Sequence, residues 1–282
     1  MGIGNWRIAL NLVFNSKYVQ QRLFRIFMLV LLLMSVGFVK AQKSIPISDS
    51  LSANAEKLNV KLGSEGIGKI WKMRFGEYAV VSSRRGWTSG SSHFNLFDTK
   101  SESKSTEKFS FVLSGKSNDS ARVNAAMNIH IRELHAIKVI PGFYLGDNGL
   151  LEETHNFTSY ITINGDTTET WALFLNTSTG QNMPDKYEAY LTNGERKIYI
   201  FSRFSETKGN KAFAMPAAGY EFIEDGQSLS ALQYAAGGLF PTNKNIIWLN
   251  NALNPKMKLV LAAVMTAILE LKLTEQQSRV GE

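Results

Sequence analysis

The sequence predicts a mainly β protein, an antiparallel β-barrel or strongly curved sheet packed around or against one hydrophobic C-terminal α-helix. Three observations predict it. Apolar and polar residues alternate with period two at Trp71-Lys72-Met73-Arg74-Phe75 and at Phe109-Ser110-Phe111, the pattern of half-buried strands. Asn164-Gly165 and Asn193-Gly194 each sit between such stretches, and Asn-Gly is a strong hairpin signal because both residues tolerate positive φ. Finally, residues 259–269 carry no charge and a single hydroxyl, Thr266. A helix apolar on every side must be buried on every side or sit in lipid.

The chain begins with an export pattern. Arg22 and Arg25 precede an apolar run of 13 residues, 26–38, followed by Val39-Lys40-Ala41, a small-residue cleavage site. Residues 1–41 therefore read as a signal peptide with cleavage before Gln42. The alternative is an uncleaved anchor, but a span needs roughly 20 apolar residues. The cleaved segment holds five of the 31 Lys and Arg and no acid, leaving 26 basic against 24 acidic residues. The basic character belongs mostly to the export signal, and a nucleic-acid partner loses its support.

No cysteine is present, which excludes disulfides, thiolate metal sites and a cysteine nucleophile. An exported, cysteine-free chain fits a bacterial envelope, so the expected location is periplasmic or extracellular.

Residues 42–58 read as a polar leader, with a short helix near 51–58 and order beginning near Val60. A single β-domain follows over 59–273. Residues 82–92, rich in Ser, Arg and Gly, and 101–108, rich in Ser, Lys and Glu, read as loops. Strands at 157–163 and 167–175 flank Asn164-Gly165, and strands at 187–191 and 197–201 flank Asn193-Gly194. A third pair, 219–223 and 228–234, flanks Glu224-Asp225-Gly226, and 246–249 supplies a last short strand. About ten strands joined mostly by hairpins imply an antiparallel sheet.

The helix is expected over 255–273, with Asn254 as N-cap and Pro255 in the first turn. A polar tail, 274–282, ends the chain, and charge reversal at Lys272 is expected to be tolerated. Two arrangements bury the helix: a sheet closed around it, which we favour, or one open sheet face beneath it. An outer-membrane barrel is set aside, because its strands run about 9–11 residues and face lipid.

Sites are sparse. Gly63-Ser-Glu-Gly66-Ile-Gly68-Lys69 has the glycine and lysine spacing of a phosphate loop, but Ile70 stands where the magnesium-binding hydroxyl belongs and a strand follows. A glycine-rich turn is the better reading. His130, Glu133 and His135 cannot share one face of either a helix or a strand, so no metal site is expected. His155 and Glu153 make an ordinary i, i+2 pair. No catalytic residue and no cofactor can be nominated. The one candidate ligand-binding constellation is Arg84, Arg85 and Trp87, two guanidiniums and an indole on a predicted loop, suited to phosphate headgroups or an acidic polymer.

The stretch Leu253-Asn-Pro-Lys-Met-Lys258, followed by the apolar run to Leu269, resembles the C-terminal ending of the tubby-like superfamily, which includes phospholipid scramblase-like and LURP-one-related proteins. The resemblance implies a hydrophobic helix threaded through a closed antiparallel barrel. It extends over about 25 residues of type pattern, and function does not follow from fold. The leading functional expectation is an exported, non-enzymatic β-domain that binds a partner, a lipid or membrane surface or an envelope protein. The alternatives are an envelope hydrolase directed at glycans, with unassigned carboxylates, and a structural module of an envelope assembly.

Overall fold

In the computed structural model, residues 44–280 are described except for 65, 95–99, 135–136, 141–142, 146–148, 182–184, 206–215 and 238–244. Residues 1–42 form a separate unit in which only Gln21, Phe24, Arg25 and Met28 are described, so the signal-peptide reading lies outside the described residues.

The elements run α1 (Asp49–Asn54), β1 (Ala55–Asn59), β2 (Lys61–Leu62), β3 (Met73–Phe75), β4 (Tyr78–Arg85), β5 (Ser89–Phe94), β6 (Lys100–Ser114), β7 (Ser120–Leu134), β8 (Ile137–Ile140), β9 (Phe143–Leu145), β10 (Gly149–Ile163), β11 (Asp166–Thr179), β12 (Lys186–Thr192), β13 (Lys197–Phe204), β14 (Ala218–Glu224), β15 (Gln227–Ala235), β16 (Ile246–Asn250) and α2 (Pro255–Val280). One antiparallel sheet takes in all the strands except the small β8–β9 hairpin. Its order is β1-β16-β15-β14-β13-β12-β11-β10-β7-β6-β4-β3-β2, with β5 folded back on β6. The hairpins at Asn164-Gly165 and Asp225-Gly226 place both residues at positive φ, as their composition predicts.

The sheet closes on itself through one extended segment. β1 pairs with β16 from Ala55↔Asn250 to Asn59↔Ile246, and β2, one residue later, pairs with β3. Between them the Val60 N–H donates to Asn245 O at 2.9 Å. The result is a nearly closed barrel with little unpaired edge.

This corrects the polar-leader reading. Residues 45–58 belong to the fold: Ile45 and Leu51 on and before α1 pack with Ala217, Ala231, Ile246 and Trp248 as a small cluster. Leu58 on β1 instead joins the main core. The segment has so few apolar residues because each anchors separately, and strand pairing itself needs only backbone.

α2 lies inside the barrel. From Val260 to Glu270, three full turns, no residue is more than 1% exposed. Its neighbours come from strands right round the sheet, among them Phe111, Val123, Ile161, Leu173, Leu191, Ile200, Phe222 and Ile247. Each large apolar side chain so buried contributes roughly 1.5–3 kcal/mol. The Asn254 side chain accepts from Met257 N at 2.8 Å, the expected N-cap. Thr266 Oγ1, the lone hydroxyl, donates back to Ala262 O at 2.8 Å and so stays satisfied in the dry interior. The helix extends to Val280, so residues 274–280 continue it where a polar tail was expected.

The predicted loops at 82–92 and 101–108 are largely strand: β4 runs to Arg85, β5 starts at Ser89 and β6 at Lys100. The strands also outnumber the expectation, and β6, β7 and β10 reach 15 residues each. Strand length therefore does not argue against a membrane barrel. The faces do: α2 packs against an apolar interior, while outward positions mix polar Lys104, Lys108, Arg122, Asn124 and Asn156 with scattered exposed aromatics such as Tyr160, Tyr199 and Phe201, which is not a continuous lipid-facing apolar band. Among the described residues no helix is long and apolar enough to cross a membrane.

Candidate functional site

Period two decides where the nominated residues go. Arg84 and Arg85 are neighbours on β4 and point to opposite faces. Arg84 lies on the outer face beside Ser110, Arg122 and Asn124. Arg85 turns inward, pairing with Glu107 of β6 at 3.3 Å and with the fully buried Glu270 of α2. Its Nη2 also lies 3.3 Å from Thr274 Oγ1, and Trp71 N donates to Glu270 Oε2 at 3.3 Å. Trp87 is 98% exposed in the β4–β5 connection. The three do not converge, and Arg85 serves to anchor the helix.

The Glu107–Arg85–Glu270 chain marks the level at which the barrel interior changes character. Below it the inward positions are mostly apolar, with Ser159 of β10 buried among them. Above it β6, β7, β10 and β11 continue, and their inward positions become Ser105, Ile129, Ile131, Glu153, His155, Thr177 and Thr179. These surround a cavity of about 720 Å³ at the barrel mouth. Its floor and one wall come from α2, through Leu271, Lys272, Thr274 and Glu275. Met127, Ile129 and Ile131 of β7, with Phe157, Leu175 and Leu271, give it an apolar side, while Ser105, Glu153, His155, Thr177 and Thr179 on the neighbouring strands stand at the same levels and give it a polar side.

The polar side is built of local pairs. Glu153 and His155 lie opposite Thr179 and Thr177 in the β10–β11 register, and His155 Nε2 lies 2.6 Å from Glu153 Oε1. The imidazole must be the donor, since an ionised carboxylate oxygen only accepts. Lys272 Nζ donates to Glu275 Oε2 at 2.8 Å and stands 5.7 Å from the Tyr234 ring centroid. The Tyr234 and Tyr220 rings pack in a tilted arrangement with centroids 5.4 Å apart. Burial pushes the Tyr187, Tyr220 and Tyr234 hydroxyls up from the ordinary phenol value, so they stay protonated and able to donate.

Sequence reasoning read the Glu153–His155 pair correctly as one-faced but missed that it lines a cavity. A signal was present. In β6, β10 and β11 the inward register runs mostly apolar, Ser159 apart, and then turns polar at Glu107, His155 and Thr177, which marks where the helix stops filling the barrel. His130 faces outward, 2.9 Å from Glu102 on β6, and among the described residues no His, Asp and Glu cluster is placed to hold a metal. His135 is outside the described residues. The glycine-rich stretch forms a turn, with Lys69 N donating to Gly66 O at 3.0 Å and β3 following.

No family model, characterised protein or solved structure matches this chain. The site has to be read from its own chemistry.

Proposed function

We propose that this protein is an exported, non-enzymatic binding barrel that holds a small molecule of lipid character in its mouth cavity. One observation carries the reading: a helix fills the barrel only part of the way, leaving a cavity of about 720 Å³, within the size range of small-molecule sites. Its composition, an apolar side facing a polar one, matches a molecule with an apolar body and a hydrogen-bonding head. Export is supported by the pattern of Arg22, Arg25 and the apolar run ending before Ala41. Kinship with the tubby-like superfamily is supported by the enclosed C-terminal helix. The hydrolase alternative gains little, because the lining carboxylates Glu107, Glu153 and Glu275 face Arg85, His155 and Lys272 where a facing carboxylate dyad would need two of them opposite one another.

The test is uptake of the neutral apolar dye N-phenyl-1-naphthylamine by the purified protein. Saturable one-site fluorescence enhancement is expected, and Ile129→Trp, which narrows the cavity at its apolar side, should weaken it with the far-ultraviolet circular dichroism spectrum unchanged. Absence of saturable uptake by the native protein overturns the reading.

A further inference from the structure

We propose that the mouth cavity selects amphipathic molecules whose head carries a positive charge, a primary or quaternary ammonium, over carboxylate or phosphate heads. The proposal rests on the cavity-binding reading above and names the class of ligand. Three features carry it.

The first is the balance of ionised groups. Glu153 on β10, Glu275 on α2 and Glu107 on β6 line the cavity, with Lys272 as the cation among the lining residues. Arg85 stands behind Glu107 and is shared with the buried Glu270. Among the described residues this ionic cluster therefore holds four carboxylates and two permanent cations, an excess of negative charge that protonation of His155 only halves. An anionic head entering the cavity meets repulsion and desolvation together; a cationic head meets attraction.

The second is the capacity of Glu153. Its Oε1 is engaged by His155, while a carboxylate offers about four acceptor sites in all. A ligand N–H donor has an acceptor there without displacing the imidazole.

The third is a cation already held in the wall. The Lys272 ammonium lies between the Glu275 carboxylate, at 2.8 Å, and the Tyr234 ring, at 5.7 Å. The same combination of carboxylate and aromatic face recognises ligand ammonium groups. Tyr187, Tyr220 and Phe157 extend the aromatic lining into the cavity itself. The apolar body of the ligand then lies along Met127, Ile129, Ile131 and Leu175.

Four probes with one chain and different heads test this by displacement of N-phenyl-1-naphthylamine: dodecyltrimethylammonium, dodecylamine, dodecanol and dodecanoate, each below its micelle concentration. Both ammonium probes are expected to displace the dye at about tenfold lower concentration than dodecanoate, with dodecanol between them. In Glu153→Gln combined with Glu275→Gln, the ammonium advantage should collapse while dodecanol is unchanged. Dodecanoate binding as well as or better than the ammonium probes overturns the head-group proposal and leaves the cavity reading standing. An ammonium advantage that survives the double substitution also overturns it. Dye that never binds, or probes that compete equally well in Ile129→Trp, overturns the cavity reading and this proposal with it.

Discussion

Arg85 points inward from β4 to the carboxylate of Glu270, which sits on the enclosed helix with no exposed side-chain surface. This pair fixes the level of the helix inside the sheet, because α2 has no polar stripe to set its depth. A second carboxylate, Glu107, at 3.3 Å from Arg85, ties the same guanidinium to β6. Removing Arg85 leaves Glu270 buried without its cation, a change that costs roughly 3–5 kcal/mol. Arg85→Met is therefore expected to lower the urea midpoint sharply. Arg85→Met combined with Glu270→Met should recover part of the loss, and a double mutant no better than Arg85→Met would contradict the pairing.

Charge placed on any side of the helix centre should be intolerable. Val264, Met265 and Ile268 sample more than one face and are all fully buried, so a lysine at each must be desolvated at a cost of several kcal/mol, comparable to the stability of a domain. Val264→Lys, Met265→Lys and Ile268→Lys are each expected to abolish soluble folded protein. Lys272 does not serve as the tolerant control that its sequence position suggested, because it is only 20% exposed and pairs with Glu275. Lys108→Glu, on the outer face of β6, takes that place and should melt within a few degrees of the native protein.

The N-terminal segment should loosen in acid. Burial alone would push the Glu221 carboxyl up, but the Ser48 N–H at 2.9 Å, Ser228 Oγ at 2.7 Å and Arg203 Nε at 2.6 Å together hold it below the usual carboxylate range. A depressed folded value means stability that is present above the unfolded carboxylate pKa, about 4.3, and lost as pH falls through the folded value. Limited proteolysis across residues 45–54 should accelerate at pH values below about 4. Glu221→Gln should show faster cleavage at neutral pH and little further change in acid. Identical pH profiles for the two proteins would remove Glu221 from this role.

Gly219 should not accept a side chain. A Cβ there would stand 2.2 Å from the Leu232 carbonyl of β15 and 2.7 Å from Ile45 Cδ1. Gly219→Ala is expected to force β14 away from β15 and cost about 1–3 kcal/mol as overpacking, measured as a lowered denaturation midpoint. A midpoint unchanged within error would mean that the strands have room to separate.

Much of the fold was legible in the residues. The Asn-Gly turns, the alternation at Phe109–Leu113 and the unbroken apolar run of α2 each report a local requirement: positive φ, one buried face, or burial on all faces. The segments that escaped, 45–58 and the upper halves of β4, β5 and β6, share a physical cause. Their strands are held by backbone hydrogen bonds while neither side-chain face is consistently dry, so no period-two signal appears.

The sequence by itself determined that strands would form hairpins and that the last helix could have no wet side. Only the tertiary structure decided which residues meet. Glu270 reads as the polar end of an apolar run, and it becomes a buried ion-pair partner because β4 brings in Arg85 from a sequence separation of 185. Glu153, His155, Tyr187 and Lys272 come from three separate elements and line one cavity because the barrel closes above the point where the helix stops filling it. Local propensity acts over a few residues, whereas closure of a sheet brings together residues far apart in the chain.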